Sequence, residues 1–301
     1  MRTMNPWRPA RAHGPGRPAP RRPRRRPGGP GRLLRVALLV PLLLLAACTA
    51  QPQDDEEDGR HPRPGQAPGE RWQPAPGVGW QWQLSGRLDT SVNAPVYDID
   101  GFTTTKEQVT GLKGAGRRTI CYLSTGAWED FRPDARDFPE DMLGRGNGWD
   151  GERWLDIRRT AELEPLMTRR IDMCRDKGFD AVEPDNMDAY DNTSGFPLTA
   201  GDQLRYNRLI AGLAHDRGLA VGLKNDLDQI PQLVGDFDFA VNEQCAQYRE
   251  CERLSPFVQA GKAVFHAEYE LGPDRFCPRS RALRLSSLQK KYELDAWRRT
   301  C

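Results

Sequence analysis

Short apolar strand candidates alternate along this chain with helical segments, and that alternation predicts an α/β protein with a parallel sheet. Two further observations narrow the prediction to a single-domain, TIM-like (β/α)8 barrel. About eight strand–helix units fit into the roughly 220 residues that follow Gly79. In each convincing strand the apolar residues come first and polar residues gather at the C-terminal exit. A (β/α)8 barrel brings all such exits to one face, where barrel enzymes hold their active sites. A doubly wound open sheet is the alternative architecture.

Ahead of that domain, the first 47 residues hold 11 arginines and no acidic residue, and end in the apolar run VALLVPLLLLAA (36–47). At about a dozen residues the run is short for a bilayer span and reads as an export signal. It closes in LAAC, which resembles a bacterial lipobox: Cys48 would be lipidated, become the mature N-terminus and hold the protein on the outer face of a cell membrane through lipid alone. A plain signal peptide would leave the protein secreted. Residues 49–79, rich in Pro, Gly and charge, predict a disordered tether. The expected organisation is therefore 1–47 leader, 48–79 lipidated cysteine and tether, 80–301 barrel. Without the leader, Lys plus Arg falls from 44 to 33 against 42 Asp plus Glu, so the formal +2 becomes about −9. That sign disfavours nucleic acid as a partner.

WQWQLSG (80–86) places Trp80 and Trp82 on one face, just before the first strand. The strand candidates are PVYDID (95–100), TICYLS (119–124), RWLDIR (153–158), FDAVEPD (179–185), LAVGLKND (219–226), FDFAVNEQ (237–244), AVFHAEY (263–269) and, weakly, RALRLS (281–286). TKEQVTGLKGAG (105–116) fits a helix closed by glycines. EPLMTRRIDMCRDKG (164–178) sets Leu166, Ile171 and Cys174 at helical spacing before Gly178, and TAGDQLRYNRLIAGLAHDRG (199–218) repeats the pattern.

The polar exits carry the chemistry. They comprise Asp98 and Asp100, Tyr122 and Ser124, Asp156, Glu183 and Asp185, Lys224 and Asp226, Glu243, then His266 and Glu268. Residues two apart on a strand share a face, so Glu183 and Asp185 point together while Asn186 points away. Carboxylates from strands 4 and 6, Asp185 and Glu243, can approach a bound group from two sides, as glycoside hydrolysis requires of its acid and its nucleophile or base. For a single acid such as Glu183, an ion pair with Lys224 is the competing structural reading. Trp82 and Trp128 offer flat faces for a sugar ring, or act as packing caps. GxSxG is absent, which disfavours a serine triad, and no GxGxxG or P-loop follows a strand. His266 reads as a hydrogen-bonded wall residue. No cofactor is expected, and a metal held by Asp98, Asp100 and Asp185 is the competing reading of those acids.

Six cysteines follow Cys48. An even number in an exported chain favours disulfides. Cys245 and Cys251 can staple one loop and Cys301 can pin the C-terminus to Cys277, leaving Cys121 with Cys174, although sequence alone permits fifteen pairings. The zinc alternative lacks a CxxC pair or a histidine cluster.

WQWQLSG, VYDID, ICYLSTGAWEDFRPD, WLDIR, GFDAVEPDNMDAY, GLKNDLDQ and DFAVNEQC, in this order, resemble glycoside hydrolase family 114, the endo-α-1,4-polygalactosaminidases. The resemblance covers residues 80 to about 269 and thins beyond. It implies a (β/α)8 fold and endo-cleavage of α-1,4-linked galactosamine in partly deacetylated polysaccharide, with Asp185 of EPDN and Glu243 of VNEQ as the catalytic pair. Asp185 is assigned as nucleophile or base and Glu243 as acid. Asp98, Asp100, Tyr122, Glu183, Asn186, Asp188, Lys224, Asp226, Trp82 and Trp128 are expected substrate-binding residues. An acidic cleft, to which Asp191 would add, suits a cationic amino-sugar polymer. The expected protein is a monomer. The competing functions are a catalytically silent glycan-binding barrel and an endo-hydrolase for another cell-surface polysaccharide.

Overall fold

The computed structural model describes residues 71–301. The expected leader, the Cys48 lipidation site and most of the expected tether lie outside the described residues. Eight parallel strands, Trp80–Gln83, Val96–Asp100, Arg118–Ser124, Ala181–Asp185, Ala220–Lys224, Phe239–Glu243, Val264–Glu268 and Ser286–Gln289, pair in chain order. With the intervening helices they form the predicted (β/α)8 barrel.

Nearly every strand residue is buried, and period-two alternation divides these residues into two cores. Trp80, Trp82, Ile120, Tyr122, Phe239 and Phe265 fill the barrel interior. Tyr97, Ile99, Leu123, Val182, Val221 and Val264 face outward and pack under the helices. Gly222 belongs to the inward set. A Cβ there would lie 2.3 Å from the Phe239 ring, so glycine makes room for that ring in the interior. The principal helices, Lys106–Gly114, Thr160–Lys177, Ala200–His215 and Pro273–Ala282, follow the second, third, fourth and seventh strands. Capping boxes at Thr105/Gln108 and Thr199/Asp202 start two of them. Gly178, at φ 88°, ends another.

Two strand expectations change. WQWQ is itself the first barrel strand, all four residues buried, whereas RWLDIR lies outside the barrel. Glu152–Leu155 sits between Ala127–Glu129 and Leu143–Gly146 in a separate antiparallel sheet inserted after the third strand. Alternation marks a half-buried strand but does not reveal which sheet it joins, and four Trp and Gln residues read as a cap because the pattern of a fully buried strand is apolar. One gain and one loss cancel, so Asp185 and Glu243 still end strands 4 and 6. At the last strand, helix continues to Ala282 and the ladder begins at Ser286, later than RALRLS implied.

The chain's C-terminus closes the barrel seam. Ser286–Gln289 pairs antiparallel with Arg299–Thr300. Leu84 and Ser85 N–H donate to the Leu294 carbonyl (2.9 and 3.2 Å), Gln81 donates to Ala296 O (2.9 Å), and Trp80 Nε1 reaches Ser286 O (2.8 Å). The domain also begins before the expected boundary at Trp80. Pro74 is buried, its carbonyl accepts from Ala263 N–H (2.8 Å), and Trp72 meets Phe239 with centroids 6.3 Å apart. All three expected disulfides are present: Cys121–Cys174, Cys245–Cys251 and Cys277–Cys301. Cys245 and Cys251 lie near enough to His266 to hold a metal, but their sulfurs are bonded to each other.

Candidate active site

At the C-terminal face, one ammonium gathers three carboxylates. Lys224, 2% exposed on its side chain, ends the fifth strand, and its Nζ lies 2.8 Å from Asp185 Oδ1, 3.1 Å from Glu243 Oε2 and 3.5 Å from Glu183 Oε1. Alternation puts all four side chains inside the barrel. Pro184 contributes to the opening above them: strands 4 and 5 pair only at Ala181–Ala220 and Val182–Val221, so the ladder has ended before the residue without an N–H.

Asp185 is held as a carboxylate. Burial pushes its pKa up, but the Lys224 charge and hydrogen bond, the Tyr122 hydroxyl (2.8 Å to Oδ2) and the Asn186 N–H (2.7 Å to Oδ1) more than offset it, leaving the group below its ordinary value. Asn186 achieves this with a left-handed backbone, φ 63°, a conformation Asn tolerates better than most residues, and its side chain donates to Ser124 Oγ (3.0 Å). Gly126 fits beneath it. A Cβ there would lie 1.7 Å from the Asn186 carbonyl oxygen, so any other residue would force the exits of strands 3 and 4 apart.

Beneath this group lies a closed floor. Glu183 is fully buried and accepts from Trp82 Nε1 (3.1 Å), while the Trp82 ring sits 5.2 Å from Lys224 Nζ as a cation–π contact. Trp82, 1% exposed, thus contacts the ammonium and not an incoming sugar. Asp98 faces Glu183. Burial first, then the Glu183 charge, drives Asp98 well above the carboxylate range. Burial also raises Glu183, against the opposing pull of Lys224.

Around the rim, further acids crowd Asp185. Asp188 is pushed up to about 7, by burial and then by the Asp185 charge. Asp226 is pushed up to about 8, by burial and then by Asp188. Asp226 is 4% exposed; Asn207 donates to its Oδ2 (2.8 Å) and no donor among the described residues reaches Oδ1. Glu152, from the inserted sheet, is pushed up to about 8 by burial and then by Glu129, although Asn147 donates to it (2.7 Å). Two expected binding residues have partners within the protein. Asp100 accepts from Thr103 N–H and Oγ1 (both 2.8 Å) and pairs with Arg132 (2.7 Å). Trp128 spends its indole N–H on the Ala135 carbonyl (2.9 Å). His266 is a buried wall residue pointing out of the barrel, hydrogen-bonded to Ser287 (2.8 Å) and Glu268 (2.9 Å).

Sequence reasoning missed Tyr269. Its hydroxyl donates to Glu243 Oε1, and its ring stacks on Tyr292 with centroids 4.4 Å apart. The available signal was parity: Tyr269 is two residues after Ala267, which faces inward and pairs with Glu243 in the ladder.

An eight-stranded parallel barrel with two inward carboxylates ending strands 4 and 6 defines the class: a barrel glycoside hydrolase. Residues 61–301 match glycoside-hydrolase family GH114, and the chain belongs to that family. Among solved structures it is similar to Aspergillus fumigatus Ega3, determined in complex with galactosamine: 41% identity over 76% of this chain and 97% of that one, with a TM-score of 0.71. The glycoside hydrolase domain of PelA from Pseudomonas aeruginosa shares the fold at 15% identity, over 74% of this chain and 98% of that one, with a TM-score of 0.59. A comparison with curated proteins found no match.

Proposed function

We propose that this glycoside hydrolase is an exported endo-enzyme that cleaves α-1,4-linked galactosamine-containing polysaccharide, with Asp185 as nucleophile and Glu243 as acid and then base. The observation that carries the mechanism is the common ammonium. Because Asp185 and Glu243 each place an oxygen about 3 Å from Lys224 Nζ, those oxygens lie within about 6 Å of one another, close to the spacing of retaining enzymes. In the first step an Asp185 oxygen bonds to the anomeric carbon as the glycosidic C–O bond breaks, and Glu243 gives its proton to the departing oxygen. In the second, Glu243 takes a proton from water, whose oxygen displaces Asp185 from that carbon. Lys224 and Tyr122 keep Asp185 ionised for the attack. Tyr269 donates to Glu243 and fixes the orientation of its carboxyl group.

The substrate reading rests on the relative solved with galactosamine and on Asp188 and Asp226. Both acids resist ionisation, through burial first, then Asp188 through the Asp185 charge and Asp226 through that of Asp188; a nearby ammonium group offsets that cost, so a free amino sugar suits this rim better than a neutral one. Export is supported by the signal-like run and LAAC of the sequence, which would tether the protein through Cys48, and by three disulfides, which an oxidising compartment maintains. The enzyme is taken to act as a monomer.

Incubation with a de-N-acetylated α-1,4-galactosamine polymer tests the reading. The native domain releases oligosaccharides, whereas Asp185→Asn and Glu243→Gln lose activity by about 10³-fold or more while remaining folded. No release by the native domain refutes the substrate; near-native turnover in either variant refutes the catalytic pair.

A further inference from the structure

The rim of the barrel divides into two arcs of different chemistry. Strands 3 to 5 and the sheet inserted after strand 3 supply carboxylates: Glu152, Asp185, Asp188 and Asp226. Strands 6 to 8 supply tyrosines: Tyr248 in the loop after Glu243, Tyr269 at the exit of the seventh strand and Tyr292 after the eighth. Glu243 stands at the boundary between the arcs, bonded to Lys224 on one oxygen and to Tyr269 on the other.

We infer that Tyr248, Tyr269 and Tyr292 form a carbohydrate-stacking subsite beside Glu243, which takes the leaving-group side of the polysaccharide by the apolar face of a sugar ring. The inference rests on Glu243 being the acid, since the group that protonates the glycosidic oxygen borders the departing sugar. Three features of this arc fit a preformed platform. Tyr269 and Tyr292 lie nearly parallel, at 17°, and the Tyr292 hydroxyl is engaged with Glu270 and Gln244. Tyr248 is fastened one turn beyond Gln244, its N–H on the Gln244 carbonyl (3.0 Å), and is 54% exposed.

The loop that carries Tyr248 is also unusually well fastened for a surface loop. Cys245–Cys251 closes it covalently. Glu268 accepts from Ala246 N–H (2.7 Å) and Gln247 N–H (3.3 Å), and Tyr248 N–H donates to Gln244 O (3.0 Å). An exposed aromatic ring on a rigid loop binds a flat apolar surface at little ordering cost. The continuity of the arc with Glu243 identifies that surface as the same glycan chain.

The test uses Asp185→Asn as an uncleaving background and calorimetric binding of an α-1,4-linked galactosamine oligosaccharide. Tyr248→Ala added to it weakens binding about 3- to 10-fold, equally at low and high salt, while Tyr248→Phe stays within about twofold because the ring persists. Unchanged affinity in Tyr248→Ala, or an equal loss in Tyr248→Phe, overturns the stacking subsite and leaves the substrate reading standing. Failure of the Asp185→Asn protein itself to bind the oligosaccharide overturns the substrate reading, and the subsite with it.

Discussion

Replacing Lys224 with methionine keeps most of the side-chain volume and removes the charge that three carboxylates share. The structure gives the size of the effect. At 2.8 Å and an effective dielectric of about 20, the Lys224–Asp185 attraction is about 6 kcal/mol, an upper bound for what is lost. The repulsion between Asp185 and Glu243, whose oxygens lie within about 6 Å of one another, then stands uncompensated and is at least about 3 kcal/mol on the same scale. Asp185 now lies below its ordinary carboxyl value, and loss of the Lys224 charge and hydrogen bond raises it. Because the proposed nucleophile must be ionised, the acidic limb of kcat/KM moves to higher pH. The assay is reducing-sugar release from the galactosamine polymer across the pH range, with circular dichroism to confirm folding. A folded Lys224→Met protein whose acidic limb stays within about half a unit of the parent would refute the role given to the ammonium.

Two other perturbations follow from the same structure. Asp226 has a folded pKa near 8, above its unfolded value, so the folded protein holds a proton that the unfolded chain releases, and stability falls as pH rises from about 4 to about 8. Asp226→Asn removes that dependence; its melting temperature relative to the parent should climb between pH 5 and pH 9, by an amount corresponding to a few kcal/mol, and a constant difference contradicts the shift. The Cys121–Cys174 bridge spans 53 residues and ties the third strand to the helix Thr160–Lys177. Replacing both cysteines with alanine should cost about 4 kcal/mol in denaturant unfolding, and a loss below about 1 kcal/mol refutes that linkage.

Much of the site was legible because strand parity is legible. Asp98, Tyr122, Glu183, Asp185, Lys224 and Glu243 follow the inward period, and the alternation within EPD and VNE places their carboxylates without reference to any fold. Parity does not supply partners. Asp98 and Asp100 have the same parity, yet Asp98 meets Glu183 while Asp100 is taken by Arg132, a residue 32 positions later on a loop that sequence does not orient. The inserted antiparallel sheet was illegible for a related reason: Glu152–Leu155 satisfies the alternation of a barrel strand, and only its long-range pairing with Ala127–Glu129 and Leu143–Gly146 excludes it. Tyr269 escaped because a tyrosine at a strand end reads as ordinary packing until its hydroxyl is seen on Glu243.

In the proposed mechanism, two carboxylates sharing one ammonium perform a double displacement on an α-linked amino-sugar polymer. Proton NMR of the hydrolysis in its first minutes reports the anomer formed before mutarotation. A double displacement gives new reducing ends in the α configuration, from two inversions at one carbon. β-Configured ends appearing first would show a single displacement by water and contradict it.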